Sequence, residues 1–136
     1  MVWVSVPGEG EWEEAYGKAD LQSGQPLSLA DHFPIGSVTK TFTATVILQL
    51  VQQGRLSLSA PISHWVPWVQ NARQITVQML LNMTSGIYDE YQSDSQLIDD
   101  ISGRPDLAFT PEHIVRMAVA HGPVGPPGTS GYTSTN

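Results

Sequence analysis

Phe33-Pro34-Ile35-Gly36-Ser37-Val38-Thr39-Lys40 leads into Thr41-Phe42-Thr43-Ala44-Thr45-Val46-Ile47-Leu48-Gln49-Leu50-Val51, and the reading of the chain turns on this stretch. Ser37 and Lys40 spell S-x-x-K at the head of an apolar run with helical spacing. Positions three apart share one face of a helix, so the hydroxyl and the amine come within hydrogen-bond reach. A neutral lysine so placed takes the serine proton and turns a weak nucleophile into one that can be acylated. The head of a helix also presents unpaired N–H groups and the positive end of its dipole, which favour an oxyanion near Ser37 and an uncharged Lys40. Residue chemistry alone leaves a second reading open, with Ser37 as a helix cap and Lys40 as a surface lysine.

Working outward, the spacing predicts a helix over Ser37 to Gln53. Phe42, Val46 and Leu50, with Ile47 and Val51, recur at i, i+4, and Gly54 stands where a C-terminal cap belongs. Its many β-branched residues make a poor isolated helix, so tertiary packing must hold it and it is expected to be largely buried. Before it, Val2 to Val6 and Trp12 to Tyr16 flank Pro7-Gly8-Glu9-Gly10 and read as a β-hairpin. Asp20 to Pro26 reads as a loop.

After it, Arg55 to Pro61 is a connection, and the proline within His64-Trp65-Val66-Pro67-Trp68 excludes a long helix there. Thr76 caps a short helix through Met83, with Met79, Leu80 and Met83 inward and Gly86 as its stop. Tyr88 to Asp106 reads as irregular, with a helical turn near Leu97 to Ile101. Thr110-Pro111-Glu112 opens another helix, whose apolar face is Ile114, Met117 and Ala118 and whose end is Gly122. Residues 123–131 read as loop. The expected fold class is therefore α/β of the α+β type. Residues 1–33 form a hairpin and lead-in, 34–54 the helix of the S-x-x-K pair, and 55–136 part of a helical region. The hairpin should belong to an antiparallel sheet, with the central helix packed on it. A lone hairpin is marginal in water, which makes the chain look like a piece of a larger fold, with apolar surface left exposed on the central helix.

Bulk composition narrows the function classes. The chain has 136 residues, a net charge of −7 and only six Lys and Arg, so no basic face is available for nucleic acid. Cysteine is absent, which removes thiol chemistry. No run reaches membrane-spanning length, and Met1 to Val4 shows no signal-peptide pattern. His32, His64, His113 and His121 stand apart without ligand spacing, so neither a metal nor another cofactor is expected. Asp89, Glu90, Asp94, Asp99, Asp100 and Asp106 read as a solvated acidic loop. Trp65 and Trp68 read as packing residues or, less simply, as the wall of a cleft.

Several segments, in order, resemble the serine β-lactamase-related family, which holds class C β-lactamases, D-alanyl-D-alanine carboxypeptidases, penicillin-binding esterases and related hydrolases. They are Tyr16-Gly17-Lys18-Ala19-Asp20 with Pro26-Leu27, Phe33 to Thr41, Gly54-Arg55-Leu56-Ser57-Leu58, Ile75-Thr76-Val77 with Leu80 to Gly86, and Pro127-Gly128-Thr129 followed by Tyr132. The resemblance implies an acyl-enzyme mechanism without cofactor, acting on a β-lactam, D-alanyl peptide or carboxylic ester. It makes Ser37 the acylated nucleophile, Lys40 its partner and Tyr132 the tyrosine of the Y-x-N motif, relaying protons to the leaving group. It also implies a small-molecule or peptidoglycan-like substrate, and a periplasmic, cell-envelope or secreted setting.

Two departures matter. Ser134 stands where the family has the substrate-binding Asn of Y-x-N, and Asn136 matches it only with a register shift. A hydroxyl holds a substrate amide less rigidly than a carboxamide does. The third motif, a Lys- or His-led triad ending in Gly, has no counterpart in these residues. These departures leave a non-catalytic relative that binds or scaffolds as the alternative, and self-association through exposed apolar surface as a further expectation.

Overall fold

The computed structural model describes residues 1–93, 103 and 108–136. The chain divides into two compact units, Met1–Gly36 and Ser37–Asn136. In the first, β1 (Val2–Val6) pairs antiparallel with β2 (Gly10–Glu14), with Val4 opposite Trp12. The second strand starts two residues earlier than the sequence pattern suggested. Gly8 (φ 83°) and Gly10 (φ 108°) adopt left-handed backbone, and this closes the turn tightly with Glu9 N–H on the Val6 carbonyl. The loop that follows is pinned by a bridge between Lys18 and Pro26.

The second unit opens with a 3₁₀ turn, Gly36–Val38, followed directly by α1 (Thr39–Gln52). The helix ends as expected. Gly54 is left-handed at φ 69°, its N–H meets the Val51 carbonyl, and Arg55 N–H meets that of Leu50. The expectation of a largely buried helix fails, because no residue of α1 is buried and Phe42 is 63% exposed. Its apolar side chains spread around the cylinder. Lys40, Ala44, Ile47 and Leu50 line a cleft of about 590 Å³ facing Ile62, Trp65, Leu80 and Met83, while Phe42 and Val46 face away, exposed.

The core of this unit lies elsewhere. Ile62, Val69, Ala72, Ile75, Ile87 and Ala118 cluster, with Val66, Trp68, Met79 and Leu80 packed against them. Residues 62–75 fold back as a closed loop, tied by Ile62 N–H to the Ile75 carbonyl at 2.9 Å and by the Pro61–Thr76 bridge. Thr76 caps α2 (Val77–Leu81) by accepting from Met79 N–H at 3.2 Å. This helix stops before the expected Met83: Asn82 is its C-cap and Met83 is left-handed at φ 60°. Gly86 is therefore no helix stop. Its role is close packing, since a Cβ there would overlap the Gly125 carbonyl oxygen.

A short helix, α3 (Glu90–Ser93), starts where the sequence read as irregular. The expected turn at residues 97–101 lies outside the described residues. Asp94, Asp99, Asp100 and Asp106 do so too. Asp89 and Glu90 contradict the solvated-loop reading, because Asp89 is half-buried and Glu90 is 1% exposed. Glu90 lies against the segment that carries His121, whose Nε2 comes within 3.8 Å of its carboxylate. Helix α4 (Pro111–Ala120) forms as expected, with Thr110 accepting from His113 N–H and Ala118 fully buried. No helix among the described residues is long and apolar enough to cross a membrane.

Core and periphery should therefore separate cleanly under mutation. Ile75→Ala is expected to cost about 2–4 kcal/mol and Phe42→Ala about 0.5 kcal/mol or less, read from urea unfolding midpoints.

Candidate active site

Ser37 sits in the 3₁₀ turn rather than on α1, and Val38 occupies the N-cap without a side-chain cap bond. The capping reading of Ser37 is thereby removed. Its hydroxyl points instead to the tail of the chain, where Ser37 Oγ and Tyr132 Oη lie 2.7 Å apart across 95 residues of sequence. Lys40, one turn further on, donates from Nζ to Ser37 Oγ at 3.5 Å and lies 5.4 Å from the centre of the Tyr132 ring. The S-x-x-K spacing thus does bring its two side chains to one face, and Tyr132 completes a three-residue cluster with them.

The distances rank the partners of the serine. A contact of 2.7 Å is an ordinary O–H···O hydrogen bond, whereas 3.5 Å is at the outer limit. Tyr132, more than Lys40, lies within ordinary hydrogen-bond distance of Ser37. Its phenol is held below the ordinary 10.0, chiefly by the Ser37 hydrogen bond, with Lys40 and Ser134 adding to the effect against some desolvation. A hydroxyl donor and a nearby ammonium both favour the phenolate, the form that can accept a proton.

Ser134 contributes to the electrostatics of Tyr132 through its side chain, while its backbone N–H donates to Asp89 Oδ1 at 3.2 Å. Asn136 does not take the place of the motif asparagine. It accepts from Ser85 Oγ at 2.5 Å and donates to Met83 Sδ, which ties it to the segment after α2.

That segment is the template on which Tyr132 is carried. Val124, Gly128 and Gly131 donate their N–H groups to the carbonyls of Gly86, Thr84 and Met83. Beyond the tyrosine, Thr133 Oγ1 donates to the Tyr88 carbonyl and Thr135 Oγ1 accepts from Glu90 N–H. The sequence pattern missed this layer. In the sequence this segment is marked only by Gly86, as a helix stop, and Asp89 carries no signal beyond its charge.

The remaining candidates have structural surroundings. His64 meets Trp65 edge-on, His113 stacks on Phe109, and His121 stacks on Tyr88. Trp68 packs against the core under the Arg116 guanidinium, 4.3 Å from its ring, whereas Trp65 is exposed on the cleft wall. Among the described residues, no group of three or more His, Cys, Asp or Glu could hold a metal ion.

The chain belongs to the Beta-lactamase family, whose model matches residues 1–136. It is 30% identical to the putative penicillin-binding protein PbpX of Bacillus subtilis over 129 residues, 95% of this chain and 30% of that one. It is 35% identical to the esterase EstB of Burkholderia gladioli over 90 residues, 62% of this chain and 23% of that one. Among solved structures, it is similar to the D-amino acid amidase of Ochrobactrum anthropi SV3 complexed with L-phenylalanine amide. The TM-score is 0.79 at 36% identity, covering 95% of this chain and 35% of the amidase. The chain thus spans about a quarter to a third of the length of these relatives.

The cluster makes a titration expectation. Ser37→Ala should return the Tyr132 phenol toward 10.0, and Lys40→Met should move it in the same direction, because both partners hold it down. Ring-labelled tyrosine followed by NMR across alkaline pH, with Tyr132→Phe as the assignment control, reads both shifts.

Proposed function

We propose that Ser37, Lys40 and Tyr132 are the acylating group of a serine hydrolase that acts on carboxylic esters or amides through an acyl-enzyme. The observation that carries this reading is the 2.7 Å contact between Ser37 Oγ and Tyr132 Oη, made beside a lysine ammonium. Ser37 Oγ attacks the substrate carbonyl carbon and its proton passes to the Tyr132 phenolate. The tetrahedral oxyanion collapses, the bond to the leaving group breaks, and Tyr132 returns the proton to the departing alkoxide or amine. Water then attacks the acyl-enzyme with Tyr132 as base, releasing the acid and restoring Ser37. Lys40, read from the sequence as the base that takes the serine proton, instead acts here by lying beside the phenol and, after the Ser37 bond, biasing it toward the phenolate, the accepting form.

The relatives span penicillin-binding proteins, an esterase and an amidase, and Ser134 bears on the choice among them. A hydroxyl in place of a carboxamide offers a substrate amide one rotatable group instead of a fixed donor and acceptor. Esters, with the better leaving group, need that hold least, so ester hydrolysis is the preferred reading over β-lactam or D-alanyl peptide turnover. The alternative is a relative that binds without turnover, favoured by Ser134. The exposed Phe42 and Val46 also favour self-association, for which sedimentation should show a concentration-dependent mass that Phe42→Ser with Val46→Ser lowers.

A p-nitrophenyl ester and a fluorescent penicillin separate the readings. Stoichiometric acylation by the ester, abolished in Ser37→Ala and lowered at least a hundred-fold in Tyr132→Phe, is the expected result. The rate should climb with pH through a midpoint below 10.0, since the phenolate is the reactive form. Acylation by neither reagent from the folded protein would leave only the binding role.

A further inference from the structure

Tyr132 is 51% exposed, so the core does not hold its ring in place. Its position is inherited from the residues on either side. Gly131 N–H is fixed on the Met83 carbonyl at 3.0 Å. On the other side, three consecutive residues meet three others. Thr133 Oγ1 donates to the Tyr88 carbonyl at 3.2 Å, Ser134 N–H donates to Asp89 Oδ1 at 3.2 Å, and Glu90 N–H donates to Thr135 Oγ1 at 3.4 Å. The Thr133 hydroxyl is already shared, since it also accepts from Thr135 N–H at 3.1 Å. The middle bond is the charge-assisted one of the three, an ionised acceptor on a backbone donor, and such bonds are about twice as strong as neutral ones.

Asp89 is held at a cost. Among the described residues its second oxygen, Oδ2, is buried and has no hydrogen-bond partner. A half-satisfied buried carboxylate is unfavourable for folding, and such costs persist where the surroundings impose them, often next to a functional site. Asp89 touches neither Ser37 nor Lys40, so a direct chemical part in acyl transfer is not available to it.

We infer that Asp89 is a positioning residue: its carboxylate fixes the Ser134 N–H and thereby holds the Tyr132 hydroxyl against Ser37. This rests on the proposed acylating role of Tyr132 and deepens it. The backbone bond lies two residues from the tyrosine, so its loss frees the 132–134 turn to move relative to the 3₁₀ turn that carries Ser37. A displacement of about 1 Å at a reacting contact lowers the rate by about a hundred-fold.

The test compares Asp89→Ala and Asp89→Asn in the full chain, with Asp89→Leu, which keeps the branching without the acceptor oxygens, should the alanine variant unfold by circular dichroism. Two readouts are taken: the Tyr132 titration by NMR of ring-labelled tyrosine, and the acylation rate with the p-nitrophenyl ester. The alanine or leucine variant should move the Tyr132 phenol up toward 10.0 and slow acylation by about a hundred-fold, with KM within about two-fold. Asp89→Asn, which keeps an acceptor oxygen for Ser134, should restore both to within about five-fold of the parent. An unchanged Tyr132 titration in the folded alanine or leucine variant would overturn the inference, as would an asparagine variant no better than alanine. Acylation absent from the parent, with the Tyr132 titration still dependent on Asp89, would sink the hydrolase reading while leaving the positioning role standing. A parent Tyr132 titrating at the ordinary value would sink both.

Discussion

Residues 83–90 are the constraint on which the candidate site depends. They form no regular element over most of their length, yet their backbone receives the N–H groups of Val124, Gly128 and Gly131 in turn. Such a close approach needs a position without a side chain, and Gly86 supplies it against the Gly125 carbonyl. The left-handed Met83 at its start turns the chain out of α2 and aims its carbonyl at Gly131, the residue before Tyr132. Backbone strain of this kind is tolerated where the surroundings over-determine it, and here Asn136 also bonds the Met83 side chain.

From that template the chemistry follows by short steps. The tail is registered on the template, Tyr132 is set by the tail, and the phenol reaches Ser37. Lys40 then acts on the pair through one turn of helix. The lysine sits close enough to bias the tyrosine electrostatically but at the limit of a hydrogen bond to the serine. Under the proposed mechanism, proton transfer and charge stabilisation are divided between these two side chains.

Legibility in the sequence followed the range of the interactions. The turn at Gly8, the caps at Thr76 and Thr110, and the glycine after α1 are local devices, and each was readable within a few residues. Burial was less readable. The apolar run of α1 resembled a core helix, but its side chains point around the whole cylinder and the described neighbours cover one side of it. Glu90 failed in the opposite sense, as charge alone cannot show that His121 lies against it.

The sequence by itself determined the one-turn spacing of the candidate pair Ser37 and Lys40, because helical geometry converts a count of three into a shared face. The family resemblance extended that to Tyr132 by motif order. Only the tertiary structure decided that the tyrosine, not the lysine, makes the short contact with the serine, and that Asp89 and the Thr133–Thr135 turn bond to each other beside it. Those facts depend on pairing residues 83–90 with residues 124–136. A pairing across some forty intervening residues is fixed by loop closure and hydrogen-bond registry, neither of which leaves a local periodicity to read.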